Sequence, residues 1–317
     1  MAKLRLVYRC TECASSHPKW SGRCISCGAW NSLVEDVEGP EEPLVSLAAG
    51  MSLVAPGEAK PITEVDGSIG QPQPTTIPEL DRVLGGGIVP GSVTLLGGEP
   101  GIGKSTLLMQ LLAAWPARTL YVTAEESAQQ VRLRAERLGA LNENVWLLPE
   151  MNLHNIFKAI ASVQPNLIVI DSIQTIADPE LSSPPGSVVQ VRGCAHRLVQ
   201  EAKRSNIPVV LVGHVTKEGG LAGPRVLEHV VDTVLSFEGE RHNALRLLRA
   251  SKHRFGPTSE LGLFEMTDGG MVGVPDASQL FLADRRTGVP GSVVVPTIEG
   301  QRPLLVELQA LTNSVSG

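Results

Sequence analysis

Aromatic residues are scarce in this chain of 317 residues: two tyrosines, five phenylalanines and four tryptophans, 3% in all. Its core must be aliphatic, drawn from an apolar share of 42%. Basic charge is not in excess either, and the formal net charge is −6. That excludes a general cationic coat for nucleic acid, though a local basic groove survives, because binding follows local charge. No apolar run reaches the ~18–20 residues of a membrane span, and Met1-Ala-Lys-Leu-Arg5 lacks an apolar signal core. The expectation is a soluble cytoplasmic protein with no membrane partner. Cysteine is also rare. Four of the five lie in the first thirty residues and Cys194 stands alone, a pattern of metal ligation in a reducing compartment more than of a disulfide framework.

What is present begins with Gly98-Glu99-Pro100-Gly101-Ile102-Gly103-Lys104-Ser105-Thr106, which fits GxxxxGK[ST]. The run Ser92 to Gly97 before it reads as a buried strand, and Leu107, Leu108, Leu111 and Leu112 after it have helical spacing. Strand, glycine turn and helix are the context of a phosphate-binding loop. Glycines let backbone N–H groups converge on phosphate oxygens, and the helix N-terminus adds partial positive charge. Lys104 is expected on the β- and γ-phosphates of ATP, and the Ser105 hydroxyl on Mg²⁺.

Cys10-Thr-Glu-Cys13 and Cys24-Ile-Ser-Cys27 are two CxxC pairs. Two such knuckles make a tetrahedral Cys₄ site suited to Zn²⁺, closed and therefore structural. Two disulfides or redox pairs are the alternative. Lys3, Arg5, Arg9, Lys19 and Arg23 lie alongside, with Trp20 and Trp30. The mixture suits either phosphate contact with stacking or an ordinary solvated surface. Residues 1–34 are expected to form this ribbon, and 35–75, rich in acids and proline, a linker.

Beyond the phosphate loop strands and helices alternate, which predicts a parallel sheet flanked by helices. Leu167-Ile-Val-Ile-Asp171 is a buried strand ending in a carboxylate. At that strand end Asp171 is placed to hold Mg²⁺ opposite Ser105, or else merely caps the next turn. Glu125, with Glu126 as understudy, follows the strand Thr119 to Thr123 and is the candidate for orienting and deprotonating the attacking water; both also suit a helix N-terminus. Cys194 has the spacing of a small core residue. Two loops, Thr175 to Ser187 and Gly213 to Pro224, are long enough to be functional. In the second, His214 is a candidate sensor of the nucleotide and Lys217 a candidate DNA contact. Further on, two strands lead into Lys252-His253-Arg254-Phe255-Gly256. Lys252 and Arg254, at i and i+2, suit either stabilisation of phosphoryl-transfer charge or an exposed basic edge.

Together these residues resemble the bacterial RadA (Sms) family, a branch of the RecA-like ATPases. The resemblance covers the four cysteines with Pro18-Lys19-Trp20 between them, the run Leu84 to Val93, the phosphate loop, Ala124-Glu125-Glu126-Ser127, Asp171-Ser172-Ile173-Gln174 and the pentapeptide at 252–256. In the family that pentapeptide is KNRFG; here His253 stands in place of the asparagine. The resemblance implies an α/β fold, with a RecA-like ATPase domain over 76–275. It implies a usually hexameric ring that encircles single-stranded DNA and drives branch migration of recombination intermediates. A recombinase or a replicative helicase would be a natural partner. Lys252 and Arg254 would act across the subunit interface, and Glu125 would activate water. The family carries a C-terminal domain like that of Lon protease, and 276–317 reads as the truncated start of one. Two other readings stay open: a signalling or autokinase ATPase of the same superfamily, and a scaffold that uses zinc and nucleotide only structurally.

Overall fold

The computed structural model describes residues 5–10, 15–38, 61–64, 70–214, 224–239, 244–276, 278, 282, 285, 287–288 and 290–310. Cys13 and Lys217 lie outside them, and for His214 only the backbone is described.

The ribbon is a small antiparallel sheet of β1 (Arg5–Cys10), β2 (Ser16–His17) and β3 (Leu33–Glu38), in the order β2-β1-β3. Here the expected boundary at 34 is corrected. The acidic run Glu35 to Glu38 is not linker but strand, with Glu35 opposite Tyr8 and Glu38 opposite Arg5. β3 pairs with β1 from Leu33 through Glu38, and the local charge misled the reading.

The main sheet, among the described residues, has nine strands. Strands β4 (Val93–Gly98), β5 (Thr119–Thr123), β6 (Val145–Pro149), β7 (Leu167–Asp171), β8 (Val209–His214) and β9 (Thr233–Glu238) are parallel. An antiparallel wing continues the sheet: β10 (Leu245–His253), β11 (Leu261–Thr267) and β12 (Gly270–Gly273). The spatial order is β12-β11-β10-β9-β4-β8-β7-β5-β6. β4 is buried along its whole length, as a strand covered on both faces must be.

Helices cover both faces. On one lie α1 (Pro78–Val83), α2 (Lys104–Ala114) and α3 (Ala128–Arg137), whose Leu107, Leu111, Leu112 and Val131 form one aliphatic cluster with Tyr121, Phe237 and Trp115. On the other lie α4 (Leu153–Val163), α5 (Val188–Ser205) and α6 (Pro224–Leu227), with Ile156, Ile160, Val191, Leu198 and Leu211 in a second cluster. Local chemistry fixes the helix starts. Ser127 and Gln130 form a reciprocal capping box on α3, and Asn152 and Ser187 cap α4 and α5. Cys194 is buried in the second cluster, and burial pushes its thiol up to about 12, which suits a packing role. No helix among the described residues is long and apolar enough to cross a membrane.

Strands β13 (Ser292–Glu299) and β14 (Arg302–Gln309) form a hairpin that leans on the wing through Leu304, packed with Leu261 and Leu263. The buried Arg302 pairs with Glu79 at 2.5 Å and donates to the Val274 and Pro275 carbonyls. Glu79 in turn accepts from the Leu263 N–H at 2.9 Å.

Candidate nucleotide site and metal centre

The parallel strands end on one edge. Register sets Gly98 beside His214 and Thr123 beside Asp171, and side chains gather there. The loop from Gly98 to Thr106 leaves β4 and enters α2 at Lys104. Gly101 and Gly103 lie in the left-handed region at φ +81 and +114, as a tight cradle of backbone amides requires. Glu99 and Thr106 are half-buried, Pro100 is exposed and Ile102 is buried. The Lys104 side chain curls back over the loop, and its ammonium donates to the carbonyls of Gly98 at 2.8 Å and Glu99 at 3.0 Å. Burial lowers the Lys104 pKa, against the opposing pull of the Asp171 and Glu125 carboxylates.

Asp171 stands opposite. Its Oδ2 accepts from the Ser105 hydroxyl at 2.6 Å and from the Tyr121 hydroxyl at 2.6 Å. Tyr121 is buried under the site, and burial first, then the Asp171 charge, raises its pKa. The sequence reading passed over Tyr121, which resembles any other core aromatic in the strand Thr119 to Thr123. Glu125 accepts from the Ser172 hydroxyl at 2.6 Å, and the Asp171–Ser172 peptide is cis. Glu126 is instead paired with Arg134 of α3. The two neighbouring glutamates are thus differently engaged, Glu125 with the strand end that carries Asp171 and Glu126 with a helix arginine.

The first long loop, Thr175 to Ser187, is fastened inward. Gln190 of α5 accepts from the Asp178 N–H and donates to the carbonyls of Asp178, Leu181 and Ser183, while Arg197 pairs with Asp178 at 2.6 Å.

The pentapeptide 252–256 lies at the other edge of the sheet. His253 pairs with Thr233, and Thr233 with Thr94 near the start of β4, whereas Gly98 pairs with Phe237. Four residues of strand separate the two levels, about 13 Å at ~3.3 Å per residue. Lys252 Nζ donates to the carbonyls of Glu228 and Val231; burial, then Arg254, lowers its pKa. Arg254 is half exposed and pairs with the buried Asp232 at 3.1 Å, whose other oxygen accepts from the Val93 N–H. His253 is hydrogen-bonded to Thr233 at 2.9 Å, and burial lowers its pKa against the opposing backbone of Leu84. Phe255 is exposed.

In the ribbon the sulfurs of Cys10, Cys24 and Cys27 all lie within 4.8 Å of one another. Cys10 and Cys27 are 3.6 Å apart, far from a disulfide length. That spacing is near the ~3.8 Å that tetrahedral 2.3 Å metal–sulfur bonds give, so the donor set fits a soft-ligand metal ion. Buried groups stand behind it: His17 Nε2 is 3.4 Å from Cys24 Sγ, and the Ser32 hydroxyl is 3.2 Å from Cys10 Sγ. Neither has a spacing signature that a sequence reading could use.

Comparison with known proteins agrees with this geometry. Residues 8–35 match the family described as rubredoxin metal binding domain, and residues 59–220 match the family described as AAA domain. The DNA repair protein RadA of Halalkalibacterium halodurans is 48% identical over 323 residues, spanning 100% of this chain and 70% of the relative. That of Streptococcus pyogenes serotype M6 is 50% identical over 315 residues, 98% of this chain and 68% of the relative. The Bacillus subtilis protein of the same name is 46% identical over 319 residues, 100% of this chain and 70% of the relative. Among solved structures, a KaiC-like protein from Pyrococcus horikoshii superposes with a TM-score of 0.55, over 65% of this chain and 100% of its own, at 22% identity; that likeness carries the fold. A RecA-like ATPase core joined to a metal-binding ribbon, with close identity along nearly the whole length, makes this chain a member of the RadA family of DNA repair proteins.

Proposed function

We propose that this chain is a DNA-stimulated ATPase that works as a branch-migration motor on recombination intermediates in DNA repair. One observation carries the chemistry: Ser105 and Lys104 on the phosphate loop after β4 meet Asp171 at the end of β7, one strand beyond the neighbouring β8, joined by the 2.6 Å Ser105–Asp171 contact. In this reading amides of 98–106 bind the phosphates, and the Lys104 ammonium exchanges its two carbonyl partners for phosphate oxygens. Ser105 and Asp171 would hold Mg²⁺, which when bound neutralises developing phosphate charge. Glu125, already oriented by Ser172, is the base for the attacking water. The four cysteines Cys10, Cys13, Cys24 and Cys27 would hold Zn²⁺, a structural ion that supplies folding energy to a ribbon too small for a core of its own.

Lys252 and Arg254 lie about 13 Å along the sheet from their own phosphate loop, at ~3.3 Å per residue. Their distance supports action on a neighbouring subunit's nucleotide in a ring, with single-stranded DNA in the centre. The domain plan that goes with this is ribbon, linker, ATPase domain and the beginning of a Lon-like domain. The signalling reading has no observation of its own, since a 22% likeness to a KaiC-like protein speaks to fold alone.

The test is ATP turnover with and without single-stranded DNA, on wild type and Lys252→Ala. The motor reading expects stimulation by DNA in wild type, and nucleotide binding without stimulation in the variant. A wild-type rate indifferent to DNA at low and moderate salt would sink it.

A further inference from the structure

Arg246 sits near the start of β10, outside every motif, and its side chain is only 6% exposed. Its Nε donates to the Ile102 carbonyl at 3.1 Å, inside the phosphate loop, and its Nη1 to the Leu245 carbonyl at 2.9 Å. The backbone around it is cleared for the arginine. A Cβ on Gly239, at φ +155, would stand 2.8 Å from Arg246 Cδ. The wing also packs close against the loop at Gly103, where a Cβ would come within 2.5 Å of the Met266 and Met271 methyl carbons. Gln110 ties α2 to the same wing through both the N–H and the carbonyl of Met271.

A buried guanidinium is costly unless its hydrogen bonds are specific, and this one goes to a peptide of functional consequence. In a trans peptide the carbonyl and the following N–H point in opposite directions. Holding the Ile102 carbonyl on the wing side therefore turns the Gly103 N–H away from the wing. Gly103, at φ +114, is the residue that opens α2. Its amide is one that a bound phosphate meets in any loop of this kind. Glycine at this point imposes little steric resistance to a peptide flip, and a flipped carbonyl would turn lone pairs toward an anion. We propose that Arg246 is a positioning residue of the nucleotide site: it locks the Ile102–Gly103 peptide in the anion-binding orientation. This rests on the assignment of 98–106 as the phosphate site.

If the lock is lost, the binding-competent loop is only a fraction of the population and apparent affinity falls by that fraction. The chemical step on the bound fraction is untouched. The experiment uses the full chain as wild type, Arg246→Lys, Arg246→Met and Lys104→Ala. It measures Mg-ADP binding by calorimetry, steady-state ATP hydrolysis, and thermal unfolding by circular dichroism as the folding control. The expected result for Arg246→Met is KM for ATP and Kd for ADP both raised about tenfold or more, with kcat within about twofold of wild type. Arg246→Lys, which keeps one donor, falls between. Unchanged Kd and KM in Arg246→Met, or a lowered kcat at unchanged KM, would overturn the proposal. Should Arg246→Met fail to fold, Arg246→Lys decides: a raised KM upholds the lock and an unchanged KM overturns it. If wild type binds no ADP, or Lys104→Ala binds it as wild type does, the phosphate-loop assignment itself fails, which is a separate outcome.

Discussion

The ribbon and the ATPase core are held together by different physics. The core buries two aliphatic clusters, one on each face of its sheet, with residues such as Leu112, Ile156, Val169 and Leu211 entirely out of water. Each such side chain contributes about 1.5–3 kcal/mol of transfer free energy. Val7, Cys10, Cys24 and Leu33 are the buried apolar residues described in the ribbon, two of them metal-binding candidates. A sheet so thinly covered depends on its ion. The two parts should therefore fail under different insults.

The largest expected effect separates them. Stripping the metal with a strong chelator should unfold the ribbon, a loss on the scale of ~10 kcal/mol for structural zinc sites, while the core melts where it did before. Circular dichroism with parallel metal analysis checks this, and a core transition that moves with the ribbon would erase the distinction. Next, Glu125→Gln should slow ATP hydrolysis by about 10²–10⁴-fold, the usual worth of a positioned base, with metal content unchanged. If Glu126→Gln does the same damage, the contrast between the Ser172-bound and the Arg134-bound glutamate is wrong.

Smaller, and confined to the ribbon, is the loss of His17. His17→Leu should release metal to a chromogenic chelator about 10–100-fold faster, as removal of a hydrogen bond to a ligating group commonly does; His17→Asn should recover part of that. Tyr121→Phe comes next, because Asp171 keeps its bond to Ser105. The Mg²⁺ needed for half-maximal turnover should rise severalfold, in keeping with the ~0.5–1.5 kcal/mol net worth of one hydrogen bond where a second is kept, with little change in kcat at saturating Mg²⁺.

The smallest effect concerns His253. Its folded pKa is lowered by burial, so the unfolded chain binds the proton more readily. The stability it contributes is complete above the ordinary imidazole value of 6.5 and is lost as pH falls below it. His253→Asn should flatten the pH dependence of core unfolding between pH 5 and 7, followed by calorimetry; an unchanged slope would show that this imidazole is not the titrating group.

Much of the fold was legible because its signals are local. The phosphate loop and the buried strands around Leu95 and Val169 each carry spacing or periodicity within a few residues. The wing strands β11 and β12 were not read. Leu261-Gly-Leu-Phe-Glu-Met-Thr267 gains its place by pairing with β10 and by the bond from Leu263 to Glu79, which is 184 residues away in sequence. The same holds in the site. Lys104, Ser105 and Asp171 sit in motifs, but Arg246 and Tyr121 meet partners 144 and 50 residues away in sequence, and His17 meets a thiol seven residues on without forming a motif with it. An arginine in Leu245-Arg-Leu-Leu-Arg249 looks the same whether it faces solvent or a loop carbonyl. The ribbon boundary slipped for a related reason: acidic density argued for linker, and only a partner strand could show otherwise.

The scarcity of aromatic rings leaves the molecule with an unusually clean optical handle. Of its four indoles, Trp115 is 2% exposed within the core, while Trp20, Trp30 and Trp146 are 58%, 72% and 45% exposed. Those three already emit from water, so disrupting the ATPase core should red-shift the emission of Trp115 far more than theirs. With Trp115 as the reporter of the core and Trp30, under the Arg23 guanidinium at 5.7 Å, as a reporter of the ribbon, a pair of single-tryptophan variants would let each half be watched unfolding in the presence of the other.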